Sequence, residues 1–386
     1  DEQPAAEPCL PSTPLSPARI THQARPRLAK AAHTQKSAIT PSETWRGRSV
    51  CVVILALAVG LYLLPSPIDP KPHVLPGPPP ALEGPLAANT RLQKGHRLFE
   101  GKLHGPESFD ADKEGERKTF APLCLYLLVS PPRPVLTKSN VPLCVFVQGT
   151  CTQGRWTGSC GADGVPFAFL NGLEISSQTG IIYFTDSSSR WGRRHVKLEV
   201  MELNRLGRLL SYEPETGRVS VLLDSLYMAN GLALDPNGRF LLVAETSVAR
   251  ILKYWLRGPK TGMAETVLDN MIGYPDNIRV SRRGTFLVGI TTPRLRSFLP
   301  PFLDALAPYP AVKRFLAKVV PLSWYEVLLP RYALVLELDA DGRPVGSMHD
   351  PEGRLTWAIS DVFQHGGRTF LGNTNLPFLP VVTLDS

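Results

Sequence analysis

The chain has 386 residues, 43% of them hydrophobic, and a formal net charge of +8, which allows a sizeable core in one large domain or two ordinary ones. The basic excess does not point to nucleic acid, because Lys and Arg are scattered and no basic block carries interleaved aromatics. No CxxC pair occurs, which excludes zinc-ribbon and thioredoxin-like chemistry. The first residue is Asp1, so a translated start is expected upstream of it.

Residues 1–48 are rich in Pro, Ala, Ser and Thr, show no hydrophobic periodicity and read as a disordered tail. Seven basic residues face four acids there. An uncharged run of 15 residues follows, Val50 to Leu64, reaching 19 with the adjoining "PSPI". Spanning a bilayer takes ~20 helical residues. A cleavable signal peptide would sit nearer the N-terminus and end in a small-x-small site, and a buried core helix is the other alternative. The expectation is a transmembrane signal anchor over 49–68 with the basic tail kept in the cytosol. That is a single-pass type II membrane protein of the plasma membrane or endoplasmic reticulum, the rest of it luminal or extracellular. Residues 69–90 form a proline-rich stalk, extended and semi-rigid, and a globular part runs over 91–386. In a luminal setting Cys124, Cys144, Cys151 and Cys160 can form disulfides, whereas Cys9 and Cys51 stay free.

Three segments of the globular part fall into register: "FLNGLEISSQTGIIYFTDS" (169–187), "MANGLALDPNGRFLLVAET" (228–246) and "PDNIRVSRRGTFLVGIT" (275–291). Each has an Asn, a short alternating strand, a Gly-containing turn and a more apolar strand. Aligned on Asn171, Asn230 and Asn277, they predict β-propeller blades with variable outer loops. A lone Asn-Gly is ordinarily a hairpin tip, but the turn after Asn230 comes later, at "DPNGR". In a propeller the first strand of each blade lines the axis, so Asn171, Asn230, Asp276 and Asn277 converge at strand entrances. Amide carbonyls with carboxylates suit a hard cation such as Ca²⁺.

The stretches "GPESF", "IYFTDSSSRWGRR", "MANGLALD", "VAETSVARI", "GYPDNIRV" and "SMHDPEG" closely resemble the strictosidine synthase-like propellers, over about 92–108 and from 167 to the end. The resemblance implies an all-β, six-bladed propeller related to the calcium-dependent paraoxonases and gluconolactonases. It implies a metal held by Glu107, Asn171, Asn230 and Asp276, with Asn277 nearby. The sequence departs from the family at 110–165, which lacks the repeat and is expected to be irregular. No Glu lies within "TWAISD" (356–361), so strictosidine synthesis itself is not expected.

A calcium-dependent arylesterase or lactonase acting on small esters is therefore the expected activity. A non-catalytic cell-surface propeller with structural calcium is the alternative. His349, followed by Asp350, is the candidate catalytic base, against the plainer reading of a hydrogen-bonded loop. His195 reads as a solvated strand residue and Asp186 as a turn cap. No Gly-x-Ser-x-Gly elbow supports a serine hydrolase. An insertion at 294–330 has helical spacing, with Val312, Phe315, Leu316, Val319 and Val320 on one face and Lys313, Arg314 and Lys318 on the other. It is expected to pack as a lid by its apolar face, or to touch an anionic membrane surface with it.

Overall fold

A computed structural model describes residues 50, 52, 53, 55, 56, 59–103, 105–111, 118–122, 161–295 and 301–383. The tail 1–48 and all six cysteines lie outside the described residues. The chain divides into two units, 1–60 and 61–386. In the first, the described residues from Val50 are helical. Among the described residues no helix is long and apolar enough to cross a membrane, which corrects the expected transmembrane anchor over 49–68. The helical residues end at Leu63, because Pro65 biases the residue before it away from helical geometry.

The second unit is built from short antiparallel strands. Strand β1 (Gly95–Leu98) precedes two pairs, β2 (Pro106–Ala111) with β3 (Lys118–Pro122) and β4 (Gly161–Ala162) with β5 (Val165–Pro166). Three consecutive four-stranded sheets follow. They are β6 (Leu170–Ile175), β7 (Ile182–Asp186), β8 (Gly207–Glu213), β9 (Arg218–Leu226); β10 (Ala229–Leu234), β11 (Phe240–Glu245), β12 (Arg250–Trp255), β13 (Ala264–Leu268); and β14 (Gly273–Val280), β15 (Phe286–Pro293), β16 (Ala333–Leu338), β17 (Pro344–Asp350). The last sheet joins β18 (Ile359–His365), β19 (Arg368–Asn373) and β20 (Leu379–Val382) to the N-terminal β1, which pairs with β20 from Gly95↔Val382 to Leu98↔Leu379. The expected six blades are thus corrected: the described residues form four four-stranded blades and two pairs. The physical reason lies in 110–165, where the alternating strand and turn pattern that specifies a blade is missing.

The core lies between blades. One cluster joins Phe240, Leu242 and Ile251 to Ile278, Phe286, Val288 and Leu336, and another joins Leu287, Val335 and Met348 to Ile359, Leu371 and Val382. Strand β11, "FLLVAE", is buried at every position, so it reads as a continuous apolar run instead of an alternating one. Both its faces are covered by neighbouring blades.

Every inner strand carries an irregularity at the same place. Two residues oppose one at 171–172, 230–231, 276–277 and 360–361, and Glu107 marks a similar register shift on β2. Such bulges re-aim side chains. Their second position is Gly172 and Gly231 in two blades, where adjacent inner strands nearly touch. A Cβ at Gly231 would fall 2.3 Å from Asn277 Cα and 2.6 Å from the Asp276 carbonyl oxygen. At Gly372, on β19, it would meet the Glu107 carbonyl oxygen at 2.2 Å.

The proline-rich segment runs along the propeller. Ile68 is buried against Leu198 and Met201 of α1 (Val196–Glu202), His73 packs 5.3 Å from Tyr227, and Leu82 and Leu86 join the second and third blades' core. The insertion forms α2 (Phe302–Leu306), α3 (Pro310–Val319) and a 3-10 stretch Leu322–Leu328. Its expected facing is corrected: α3 turns Leu316 and Ala317 to the protein, buries Lys313, and leaves Val312, Phe315 and Val319 exposed. The stripe 313, 316, 317 has helical spacing as good as the apolar one, and the packing against α1 selects it.

Because backbone atoms leave no room at Gly231, Gly231→Ala should destabilise by roughly 2–4 kcal/mol. Gly77→Ala, whose Cβ would find its nearest neighbour at 4.0 Å, should stay within about 0.5 kcal/mol. Chemical denaturation of the two variants checks this, and equal midpoints would contradict the close approach.

Candidate metal centre

The bulges aim Asn171, Asn230 and Asp276 from the same first position, and each amide is oriented by a relay. Asn171 Nδ2 donates to Ser187 Oγ (3.0 Å), whose own proton goes to the Ala229 carbonyl oxygen (2.6 Å). One blade on, Asn230 Nδ2 donates to Thr246 Oγ1 (3.0 Å), which donates to the Pro275 carbonyl oxygen (2.7 Å). A hydroxyl that has committed its proton can only accept, so each Asn must present its nitrogen to it. The amide oxygen is left for the other side. Among the described residues Asn230 Oδ1 is buried there with no hydrogen-bond partner, and so is Asp276 Oδ1.

Glu107 comes in from β2, held where Ser360 Oγ donates to its carbonyl oxygen (2.7 Å). Its carboxylate pairs with Arg193, from the 3-10 turn Arg193–His195 between β7 and α1. Asp276 is 4% exposed. Burial pushes its carboxyl well above the ordinary range, Glu107 and Asp361 add to that, and Arg193 and the Asn230 side chain oppose it. Glu107, Asn230, Asp276 and Arg193 therefore share one electrostatic neighbourhood. Two carboxylates and two oriented amides fit a hard divalent cation. A buried carboxyl whose charged form is disfavoured is also a group that a cation would relieve. Among the described residues no group of three or more His, Cys, Asp or Glu is gathered for a metal, so the amides are indispensable to this donor set.

Asn277 takes the bulge's second position, equivalent to Gly172 and Gly231, so it is Asp276 that aligns with Asn171 and Asn230. His349 lies on β17, the outermost strand of its blade. It is fully buried, with Nδ1 bonded to Tyr332 Oη (2.6 Å) and Nε2 to Ser347 Oγ (2.8 Å), and burial pushes its pKa down to about 4. The geometry does not bring His349 to the axial group; its backbone N–H donates to Asn89 Oδ1 (3.1 Å), fastening the proline-rich segment. Asp186 is no turn cap. It ends β7, accepts from Phe169 N–H (2.9 Å) and pairs with Arg208 (2.6 Å), while Glu245 in the next blade accepts from Tyr227 N–H (2.8 Å) and pairs with Arg250 (2.5 Å). His195 is exposed and ends the 3-10 turn, not a strand.

The reading from sequence missed Arg193 and a second cluster in which Asp361 binds Arg279 (2.9 Å) and Ser108 (2.6 Å). A signal was present: "DS" (186–187) and "ET" (245–246) repeat an acid followed by a hydroxyl at the end of the second strand in two blades. "ISD" (359–361) repeats the strand entrance without an Asn.

The strictosidine synthase family matches residues 171–259, and the strictosidine synthase-like N-terminal family matches 84–116. Human adipocyte plasma membrane-associated protein is 35% identical over 413 aligned positions, covering 94% of this chain and 97% of the human one. The chain belongs to the adipocyte plasma membrane-associated protein family. Two solved structures also resemble it. One is a gluconolactonase of Xanthomonas campestris (18% identity, 58% of this chain and 59% of that chain, TM-score 0.37). The other is regucalcin, a calcium-binding protein of Agrobacterium tumefaciens (12%, 56% and 61%, TM-score 0.35).

In this family member the turn that carries Arg193 is braced by α1. Glu202 accepts from Arg190 (2.6 Å) and from Trp191, and Glu199 Oε2 accepts from Asn204 (2.8 Å). Burial raises the Glu199 carboxyl from 4.5 to about 7, against hydrogen bonds from Ser188 and Asn204 that lower it. The folded state thus holds the proton that the unfolded chain releases. This contribution is present in full below pH 4.5, declines as pH rises, and is gone above about 7. Glu199→Gln should flatten the stability profile across that window and be more stable than the parent at pH 8. Urea unfolding at several pH values tests it, and an unchanged slope would refute the assignment.

Proposed function

We propose that this family member holds a calcium ion through Glu107, Asn171, Asn230 and Asp276, with Asn277 beside them, and hydrolyses small carboxylic esters or lactones at that site. The observation that carries the reading is the pair of buried, unpartnered oxygens, Asn230 Oδ1 and Asp276 Oδ1, next to the Glu107 carboxylate. A bound calcium supplies Lewis-acid polarisation of the carbonyl. The chain's own part is to hold and orient. The Ser187 and Thr246 relays fix the amide oxygens, the bulges set their spacing, and Glu107 with Asp276 supplies the balancing charge. Arg193 sits on Glu107, so it screens one carboxylate and stands where an anionic product or oxyanion would find a cation.

A second reading is a non-catalytic propeller that binds partners and uses calcium for stability. The placement of His349 favours it, since that residue is spent on bonds to Tyr332 and Ser347 within its own blade. The name of the human relative says plasma membrane-associated, and we extend membrane association to this chain. Exposed Val312, Phe315, Val319 and Trp324 on the insertion support contact with a lipid surface.

The full chain should melt higher with calcium than with a chelator. Asp276→Ala should remove most of that difference, while Asp341→Asn, an exposed site, should keep it. Phenyl acetate hydrolysis that stops with chelator supports the hydrolase; calcium-dependent melting without turnover selects the second reading. Equal melting with calcium and chelator would remove the metal site altogether.

A further inference from the structure

The insertion packs on the propeller with a cation inside. Lys313, on the inward stripe of α3, is 2% exposed, and Ser247, in the 3-10 turn after β11, is 3% exposed. Among the described residues Lys313 Nζ and Ser247 Oγ each have no hydrogen-bond partner. Both residues line one cavity of ≈ 10 Å³, whose other walls include Met201 and Leu203 at the end of α1 and Leu303 and Leu306 of α2. That space suits a single particle about the size of a water molecule.

The chemistry of the lining is one-sided. Among the described residues it offers an ammonium, which only donates, and a hydroxyl with a proton to give, and no carboxylate. Nearby acids are committed elsewhere: Asp304 to Arg294 (2.8 Å) and Tyr274, Glu202 to Arg190 and Trp191, and Glu199 to Asn204. His73 is the other titratable neighbour, and its pKa is pushed down by burial and then by the charge of Lys313. A buried ammonium without a counter-charge costs several kcal/mol. Burial alone brings the Lys313 amine down to about 8, with no carboxylate opposing it, so the amine is still largely charged at pH 7. An anion would accept from both donors and neutralise the cation at once.

We propose that Lys313 Nζ and Ser247 Oγ hold one monatomic anion, chloride in physiological media, in the cavity between α1, α2 and α3. The anion would tie the insertion to the propeller, independently of whether the axial site holds calcium or turns over esters.

Two measurements on the full chain decide the matter. In crystals soaked in sodium bromide, an anomalous peak within hydrogen-bonding reach of Lys313 Nζ is expected. In thermal unfolding at fixed ionic strength and pH 7, chloride should raise the midpoint over gluconate by roughly 2 °C or more. Lys313→Met fills the apolar space without a charge and should fold, because such replacements of buried charge are often neutral or stabilising. It should melt alike in both salts, and Ser247→Ala should show a reduced difference. No bromide peak together with coincident chloride and gluconate curves for the parent would mean that water alone occupies the cavity, and the proposal would fall. It would fall equally if Lys313→Met kept the full chloride effect.

Discussion

The close approach of the inner strands is the constraint on which the rest of this propeller depends. Four blades bring their first strands together at a shared bulge, and there the backbones are too near for side chains on both sides. Glycine at 172 and 231 lets neighbouring backbones meet. Hydroxyls of Thr185, Thr246 and Ser360 then donate across the gap to the carbonyl oxygens of Asn230, Pro275 and Glu107, at 2.7 Å in each case. A buried carbonyl otherwise left without a donor would be costly, so these cross-blade bonds both satisfy and align the strands.

From that geometry the axial chemistry follows. An amide whose nitrogen is claimed by a hydroxyl has no choice about where its oxygen goes, and a bulge decides which way the whole side chain leaves the strand. The result is oxygen donors held in place by groups that never touch a ligand, the kind of outer-shell support that metal sites depend on. The acid–arginine pairs Asp186–Arg208 and Glu245–Arg250 do a parallel service one position away. Each carboxylate also accepts a backbone N–H from the chain entering its own inner strand, so the strand entrance is pinned from both ends.

The insertion obeys a different logic. Its helix α3 puts a lysine inward and leaves valines and a phenylalanine outward, which local hydrophobicity opposes. Leu316 and Ala317 supply enough apolar contact with α1 and Ile68 to hold the helix in that orientation. The charged head that this buries then requires a partner, and the exposed apolar face awaits a surface of its own.

Much of the fold was legible in the sequence. The three Asn-strand-turn-strand segments could be set in register because strand alternation and Gly-containing turns are local properties, and the candidate donors Asn171, Asn230 and Asp276 recur with those segments. Glu107 was reached only through the family resemblance, since it stands alone before a stretch without the repeat. Other features depended on contacts between residues far apart in the chain. A bulge adds one residue to a strand, so aligning on Asn277 in place of Asp276 was an error that only the paired partner strand could expose. His349 beside an acid looks the same in sequence whether it faces the axis or a blade's outer edge, and the strand order put it at the edge. Arg193 on Glu107, like Lys313 beneath the insertion, joins segments whose separation in sequence carries no signal. Periodicity therefore determined which residues could line the axis, and long-range packing decided which of them do, because a side chain's direction is fixed by the backbone that presses against it.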